Sequence, residues 1–114
     1  MKVVGMIPVR LESSRLPEKA LCDILGLPML IHTLKRTQLA QSLDEVYVVT
    51  DNYVIKELVE SHQGNVIMTG KHHKTGSDRL AEAAAHIETD IIVNIQGDEA
   101  LVDPGHIDQS VYGL

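Results

Sequence analysis

Tryptophan and phenylalanine are absent from these 114 residues, and tyrosine occurs three times. An interior without large rings must be filled by Val, Ile, Leu, Met and Ala, which suits a parallel sheet covered by helices. Cysteine occurs once, as Cys22. That excludes an internal disulfide and fits a reducing compartment. No apolar run approaches the roughly 20 residues of a membrane helix. Arg10 and Glu12 interrupt the first apolar run before it reaches signal-peptide length. A cytoplasmic chain with no membrane partner is therefore expected. Phosphate-binding glycine motifs are missing too. No G-x-G-x-x-G follows the first apolar run, which argues against a dinucleotide fold. Gly64 and Gly70-Lys71 are one residue too far apart for a P-loop, and no Ser or Thr follows the lysine. Any phosphate would be held by side chains more than by a glycine cradle.

What is present is enough for one packed domain. Hydrophobic residues make up 44% of the chain, and the length suits one core. The net charge of −6 argues against nucleic-acid binding. Its distribution is uneven. Residues 1–19 carry four basic side chains against two acidic ones, whereas the rest carries six against fourteen. Three of the early cations, Arg10, Arg15 and Lys19, cluster in one segment. Such a cluster suits a small polyanion or, read alone, a solvated loop.

The pattern alternates strand and helix. Residues 2–8 form a short apolar run ended by Pro8. Pro28 opens a helix with Leu27, Leu30, Ile31 and Leu34 on one face. Glu45–Thr50 reads as a second strand. Asp51 and Asn52 are candidate caps for a helix with Val54, Ile55, Leu58 and Val59 on one face. Gly64 ends that helix, and residues 65–69 form a third strand. Thr75 and Asp78 resemble a capping box for a helix containing Leu80, Ala83, Ala84 and Ile87. Residues 90–96 form a fourth strand, and Asp103-Pro104 starts a last helix. This order predicts right-handed crossovers and an α/β three-layer sandwich around a mostly parallel, Rossmann-like sheet. Residues 1–114 read as a single domain without repeats or linkers.

Ligands of such folds gather beyond the carboxyl ends of the strands. The segments there are residues 9–19, Asp51-Asn52, residues 70–79 and Gly97-Asp98-Glu99. Arg presents a planar fork and Lys a point charge to phosphate oxygens, with Ser13 and Ser14 between them as donors. Asp98, just past the fourth strand, suits Mg²⁺, a hard cation that takes oxygen ligands. An isolated Gly-Asp pair is also an ordinary polar turn. Helix capping accounts for Asp51 and Asp78. His72 and His73 are adjacent and lack a second ligand pair, so a transition-metal site is not expected. Cys22 reads as a core residue.

Five ordered blocks carry a resemblance. Residues 10–21, R-L-E-S-S-R-L-P-E-K-A-L, resemble the signature R-x-x-S-[ST]-R-L-P-G-K-P-L of 3-deoxy-manno-octulosonate (Kdo) cytidylyltransferases. Gly26-Leu27-Pro28-Met29 resembles G-K-P-M, and Val48-Val49-Thr50-Asp51 resembles V-A-T-D. Residues 75–82, T-G-S-D-R-L-A-E, resemble S-G-T-[DE]-R-L-A-E. Residues 93–99, V-N-I-Q-G-D-E, resemble V-N-[VI]-Q-G-D-E.

The resemblance implies the sheet of the nucleotide-diphospho-sugar transferase type, present here as its N-terminal, nucleotide-binding portion. It implies transfer of CMP from CTP to a 3-deoxy sugar acid, Kdo, with release of pyrophosphate, in lipopolysaccharide precursor synthesis. Arg10, Arg15 and Lys19 match triphosphate-binding cations, with Ser13 among them, and Arg10, Lys19 and Asp98 form the implied catalytic set. Asp98 matches the Mg²⁺ ligand. Gln96 sits where the family approaches the sugar acid. Ser77 and Arg79 fall in the segment like the cytosine pocket, and Thr50 and Asp51 line the same side. CTP and the sugar acid are the implied partners, and a homodimer the implied assembly.

Glu18 stands where the family has glycine, Ala20 and Ala100 where it has proline, and Leu27 where it has lysine. Family enzymes are longer, so the chain alone is expected to bind nucleotide weakly and turn over poorly. Two alternatives remain open: a related sugar-acid nucleotidyltransferase acting on a sialic-acid-like substrate, and a truncated, non-catalytic nucleotide-binding domain.

Overall fold

A computed structural model describes residues 2–9, 23–24, 26–70 and 76–95. Four parallel strands form its sheet: β1 (Val3–Val9), β4 (Glu45–Thr50), β5 (Asn65–Met68) and β6 (Ile91–Asn94), in the order β5-β4-β1-β6. Two short antiparallel strands, β2 (Asp23–Ile24) and β3 (Leu27–Pro28), make a separate hairpin. Gly26 turns it with φ +87°, a conformation that an L side chain resists. The helices are α1 (Met29–Gln38), α2 (Tyr53–Ser61) and α3 (Gly76–Ala84).

Alternation along the strands sorts the core into two layers. Ile7 and Val9 of β1 and Val46 and Val48 of β4 pack with Leu30, Ile31 and Leu34 of α1 and Ile55 and Val59 of α2. Val4 and Met6 of β1, Val49 of β4 and Ile67 of β5 pack on the other face with Leu80 and Ala83 of α3. Apolar residues therefore run continuously along β1 and β4, as expected of strands covered on both faces. This is the α/β three-layer arrangement read from the sequence.

The helices show how local chemistry sets their ends. Pro28 holds the N-cap position of α1 with φ −58°, without a side-chain cap. In α1, the Thr37 hydroxyl donates to the Thr33 carbonyl at 2.7 Å, which allows Thr37 to be fully buried. Asn52 caps α2, accepting from the Val54 and Ile55 amides at 2.8 and 3.3 Å. Asp51 is thus not the cap. Val54 does not join the buried face of α2; it is 58% exposed, and Ile55 and Val59 are the buried residues.

The C-terminus of α2 also differs from the reading in which Gly64 ends the helix. Gln63 adopts the left-handed conformation, φ 65°. Its amide donates to the Glu60 carbonyl at 3.0 Å, and the Gly64 amide donates to the Val59 carbonyl at 2.9 Å. These two bonds define a Schellman cap with Gln63 in the position glycine usually takes. Gly64 is required for space instead. A Cβ there would lie 2.5 Å from Val59 Cγ1 and 2.7 Å from Leu34 Cδ2. The proposed capping box at Thr75 and the last helix after Asp103 lie outside the described residues.

Register places the site. Val9 pairs with Thr50, and Thr50 with Met68, so β1, β4 and β5 end level. From β1 the chain passes through α1 to β4 and through α2 to β5, both on one side of β1. It then crosses through α3 on the opposite face to reach β6, on the other side of β1. The topology therefore reverses between β1 and β6, and the carboxyl ends of such strands are where open α/β sheets bind ligands.

Candidate functional site

Two described residues follow directly from the level strand ends: Asp51 after β4 and Thr69 after β5. Arg10, Ser13, Arg15, Lys19, Gln96 and Asp98 lie outside the described residues. Ser77 lies in the first turn of α3. Thr50, Asp51 and Arg79 can be followed atom by atom.

Arg79 is the fourth residue of α3, and its side chain is only 1% exposed. It lies on the buried side of the helix beside Leu80 and Ala83. Its Nη1 donates to the Thr69 hydroxyl at 2.6 Å and to the Gly70 carbonyl at 3.4 Å. Its Nη2 lies 3.5 Å from Asp51 Oδ2, and the Asp51 side chain is 9% exposed. Thus α3 and the ends of β4 and β5 converge on one guanidinium. Its Nε and Nη2 nevertheless lack a hydrogen-bond partner among the described residues. Burying a charge is costly unless it is both paired and hydrogen-bonded. Arg79 has a counter-ion but is not saturated: Nε and Nη2 are two unpaired donor atoms among the described residues.

The surrounding contacts are ordered. The Thr50 hydroxyl, fully buried, accepts from the Asn52 amide at 3.2 Å and shapes the turn after β4. The Thr69 amide extends the β4–β5 ladder by donating to the Thr50 carbonyl at 3.0 Å. Glu82, one turn along α3 from Arg79, accepts from the Gly70 amide through both carboxylate oxygens, each at 3.2 Å.

The structure brings Asp51 and Arg79 together and places Thr50 beside them as a turn residue. The sequence reading missed Thr69 and the Gly70 carbonyl. Thr69 was visible only as the polar residue closing an apolar strand, and nothing local tied it to Arg79. Among the described residues there is no group of three or more His, Cys, Asp or Glu able to hold a metal. Asp51 faces the guanidinium as its counter-ion. The metal ligand assigned from sequence, Asp98, lies outside the described residues. Nor is any described helix long and apolar enough to cross a membrane.

A parallel sheet with a buried, incompletely hydrogen-bonded arginine at its carboxyl edge defines a doubly covered α/β domain. The particular family follows from comparison with known proteins. The family model for cytidylyltransferases matches residues 4–114, and the chain belongs to that family. It is 49% identical over 114 residues to the 3-deoxy-manno-octulosonate cytidylyltransferase of Geobacter metallireducens, covering all of this chain and 45% of the relative. A solved structure of CMP:2-keto-3-deoxy-manno-octonic acid synthetase complexed with CTP superposes with a TM-score of 0.96 at 40% identity, covering 99% of this chain and 47% of that one. A cytidylyltransferase from Leptospira borgpetersenii superposes at 0.88 with 26% identity, over 100% and 49% of the two chains. The chain therefore spans about half the length of the relatives it matches.

Proposed function

We propose that this chain is the nucleotide-binding part of an enzyme that transfers CMP from CTP to Kdo and releases pyrophosphate. The observation that carries the reading is the likeness to the CTP-complexed synthetase, 40% identical across 99% of this chain. The site geometry supports it, because Arg79 offers buried, unsatisfied donors at the strand ends where nucleotides bind.

In the proposed reaction the sugar-acid hydroxyl forms a bond to the α-phosphorus of CTP as the bond to the pyrophosphate oxygen breaks. Positioning and charge neutralisation provide most of the rate gain in such a displacement. Arg10, Arg15 and Lys19 are the proposed triphosphate contacts, with Ser13 as a further donor. Thr50, Asp51, Ser77 and Arg79 are assigned to the nucleoside side, and Gln96 to the sugar acid. Mg²⁺, with Asp98 as its proposed ligand, would supply further neutralisation of the triphosphate. Residues 1–114 form the proposed nucleotide domain of a cytoplasmic, homodimeric enzyme.

The test is calorimetric titration of CTP, ATP and GTP into the chain with Mg²⁺, with EDTA, and in an Asp98→Ala variant. The expected result is selective CTP binding that weakens without Mg²⁺ and in the variant. A folded chain that binds none of the three nucleotides refutes the proposal.

A further inference from the structure

We infer that Thr69 and Asp51 are positioning residues for Arg79, holding its guanidinium so that Nε and Nη2 remain available to the nucleotide. This rests on the proposed reading of Arg79 as a nucleotide contact and goes beyond it. It moves Asp51 from direct binding to a role exercised through another residue, and it adds Thr69.

The geometry points this way because the guanidinium is held at one end only. Five N–H donors lie in a fixed plane. The Nη1 edge is spent on the Thr69 hydroxyl at 2.6 Å and the Gly70 carbonyl at 3.4 Å. Asp51 supplies charge at 3.5 Å without forming a hydrogen bond to Nη2. A carboxylate saturating the guanidinium would make a fork of two short bonds. Here it balances the charge and leaves the donors unused. Glu82 adds a second layer, fixing the Gly70 amide through both oxygens. The holding groups come from different elements: Asp51 follows β4, Thr69 and Gly70 follow β5, and Glu82 lies on α3. The pairing of Thr50 with Met68 locks the first two together. A rotation of the guanidinium plane therefore breaks contacts to two strands at once.

The experiment compares Thr69→Val, Thr69→Ser, Arg79→Met and the double variant Thr69→Val/Arg79→Met. CTP affinity is read by calorimetry with Mg²⁺, folding by thermal unfolding, and Arg79 side-chain mobility by ¹⁵N NMR. Thr69→Val removes the hydroxyl and keeps the shape. It is expected to weaken CTP binding about tenfold, or about 1.4 kcal/mol. Thr69→Ser is expected to recover most of that loss. In the Arg79→Met background, Thr69→Val is expected to cost nothing further, whereas a merely structural threonine would cost the same in both backgrounds. If Arg79→Met weakens CTP binding and Thr69→Val does not, the positioning role is overturned and the nucleotide reading of Arg79 stands. If Arg79→Met leaves binding unchanged, both fall. If the folded chain binds no CTP, the functional proposal fails and NMR decides the positioning role. Hindered rotation of the Arg79 guanidinium, lost in Thr69→Val and in Asp51→Asn, supports it; unaltered mobility in both overturns it.

Discussion

Replacing Asp51 with alanine should be among the most damaging single changes outside the apolar core. The Asp51 and Arg79 side chains are 9% and 1% exposed, with 3.5 Å between charged atoms. At that distance and an effective dielectric of about 20, their attraction is about 5 kcal/mol. Among the described residues, alanine leaves the buried arginine charge with only the Thr69 and Gly70 oxygens as partners. Breaking a buried pair in this way costs about 3–5 kcal/mol, a large share of the roughly 5–15 kcal/mol that holds a domain folded. Urea unfolding followed by far-ultraviolet circular dichroism suits a chain without tryptophan. With a denaturant slope of about 2 kcal/mol per molar, the midpoint should fall by about 2 M. Asp51→Ala/Arg79→Met should be more stable than Asp51→Ala alone, since no charge is then stranded. A midpoint loss below about 0.5 M for the single variant, or a double variant less stable than the single, would refute this account of the pair.

Two further outcomes rest on the same structure. Gln63→Gly should stabilise the chain by about 0.5–1 kcal/mol, because relief of the left-handed strain exceeds the added freedom of the unfolded chain. Gly64→Ala, one residue on, should instead destabilise by about 1–3 kcal/mol, because its Cβ would press on Val59 and Leu34; thermal midpoints that move together refute the assignment of the cap. At the opposite ends of the strands, hydrogen bonds from Lys2 and then Tyr47 hold the Glu45 carboxyl below its usual range. That contribution is present above the ordinary carboxylate value and lost as pH falls through the lowered one, from about pH 4 downward. Glu45→Gln should therefore lose less stability than the parent on acidification, and parallel stability profiles below pH 5 would count against it. The same contact raises Tyr47 and Lys2 through their hydrogen bonds to Glu45, so their contribution is lost at alkaline pH as each releases its proton.

How much of this was legible in the sequence depends on the range of the interaction. The central strands β1 and β4 were readable because both faces of the sheet are covered there, which gives mainly apolar runs such as E-V-Y-V-V-T at Glu45–Thr50. The hairpin of β2 and β3 was not, since two-residue strands carry no period to detect. At helix ends, chemistry narrowed the choice without deciding it. Asp51 and Asn52 are both capable caps, and only geometry shows that Asn52 caps α2 while Asp51 turns toward Arg79. At Gln63 and Gly64 the glycine drew attention for its backbone freedom, yet it is needed for its missing side chain.

The site shows the same limit at longer range. Asp51 and Arg79 each fell within a motif block, so each was visible singly. Their pairing depends on the offset between strands, which brings Thr50 level with Met68 and so brings Asp51 and Thr69 to the same edge. Side-chain alternation tells which face of a strand a residue occupies, but it carries no information about that offset. The offset is set by the crossover through α2 and by the packing of Ile55 and Val59 against β4. Thr69 could therefore be recognised only once the register was known. A residue that acts by holding another is hidden from local pattern for this reason, because its partner is supplied by the fold.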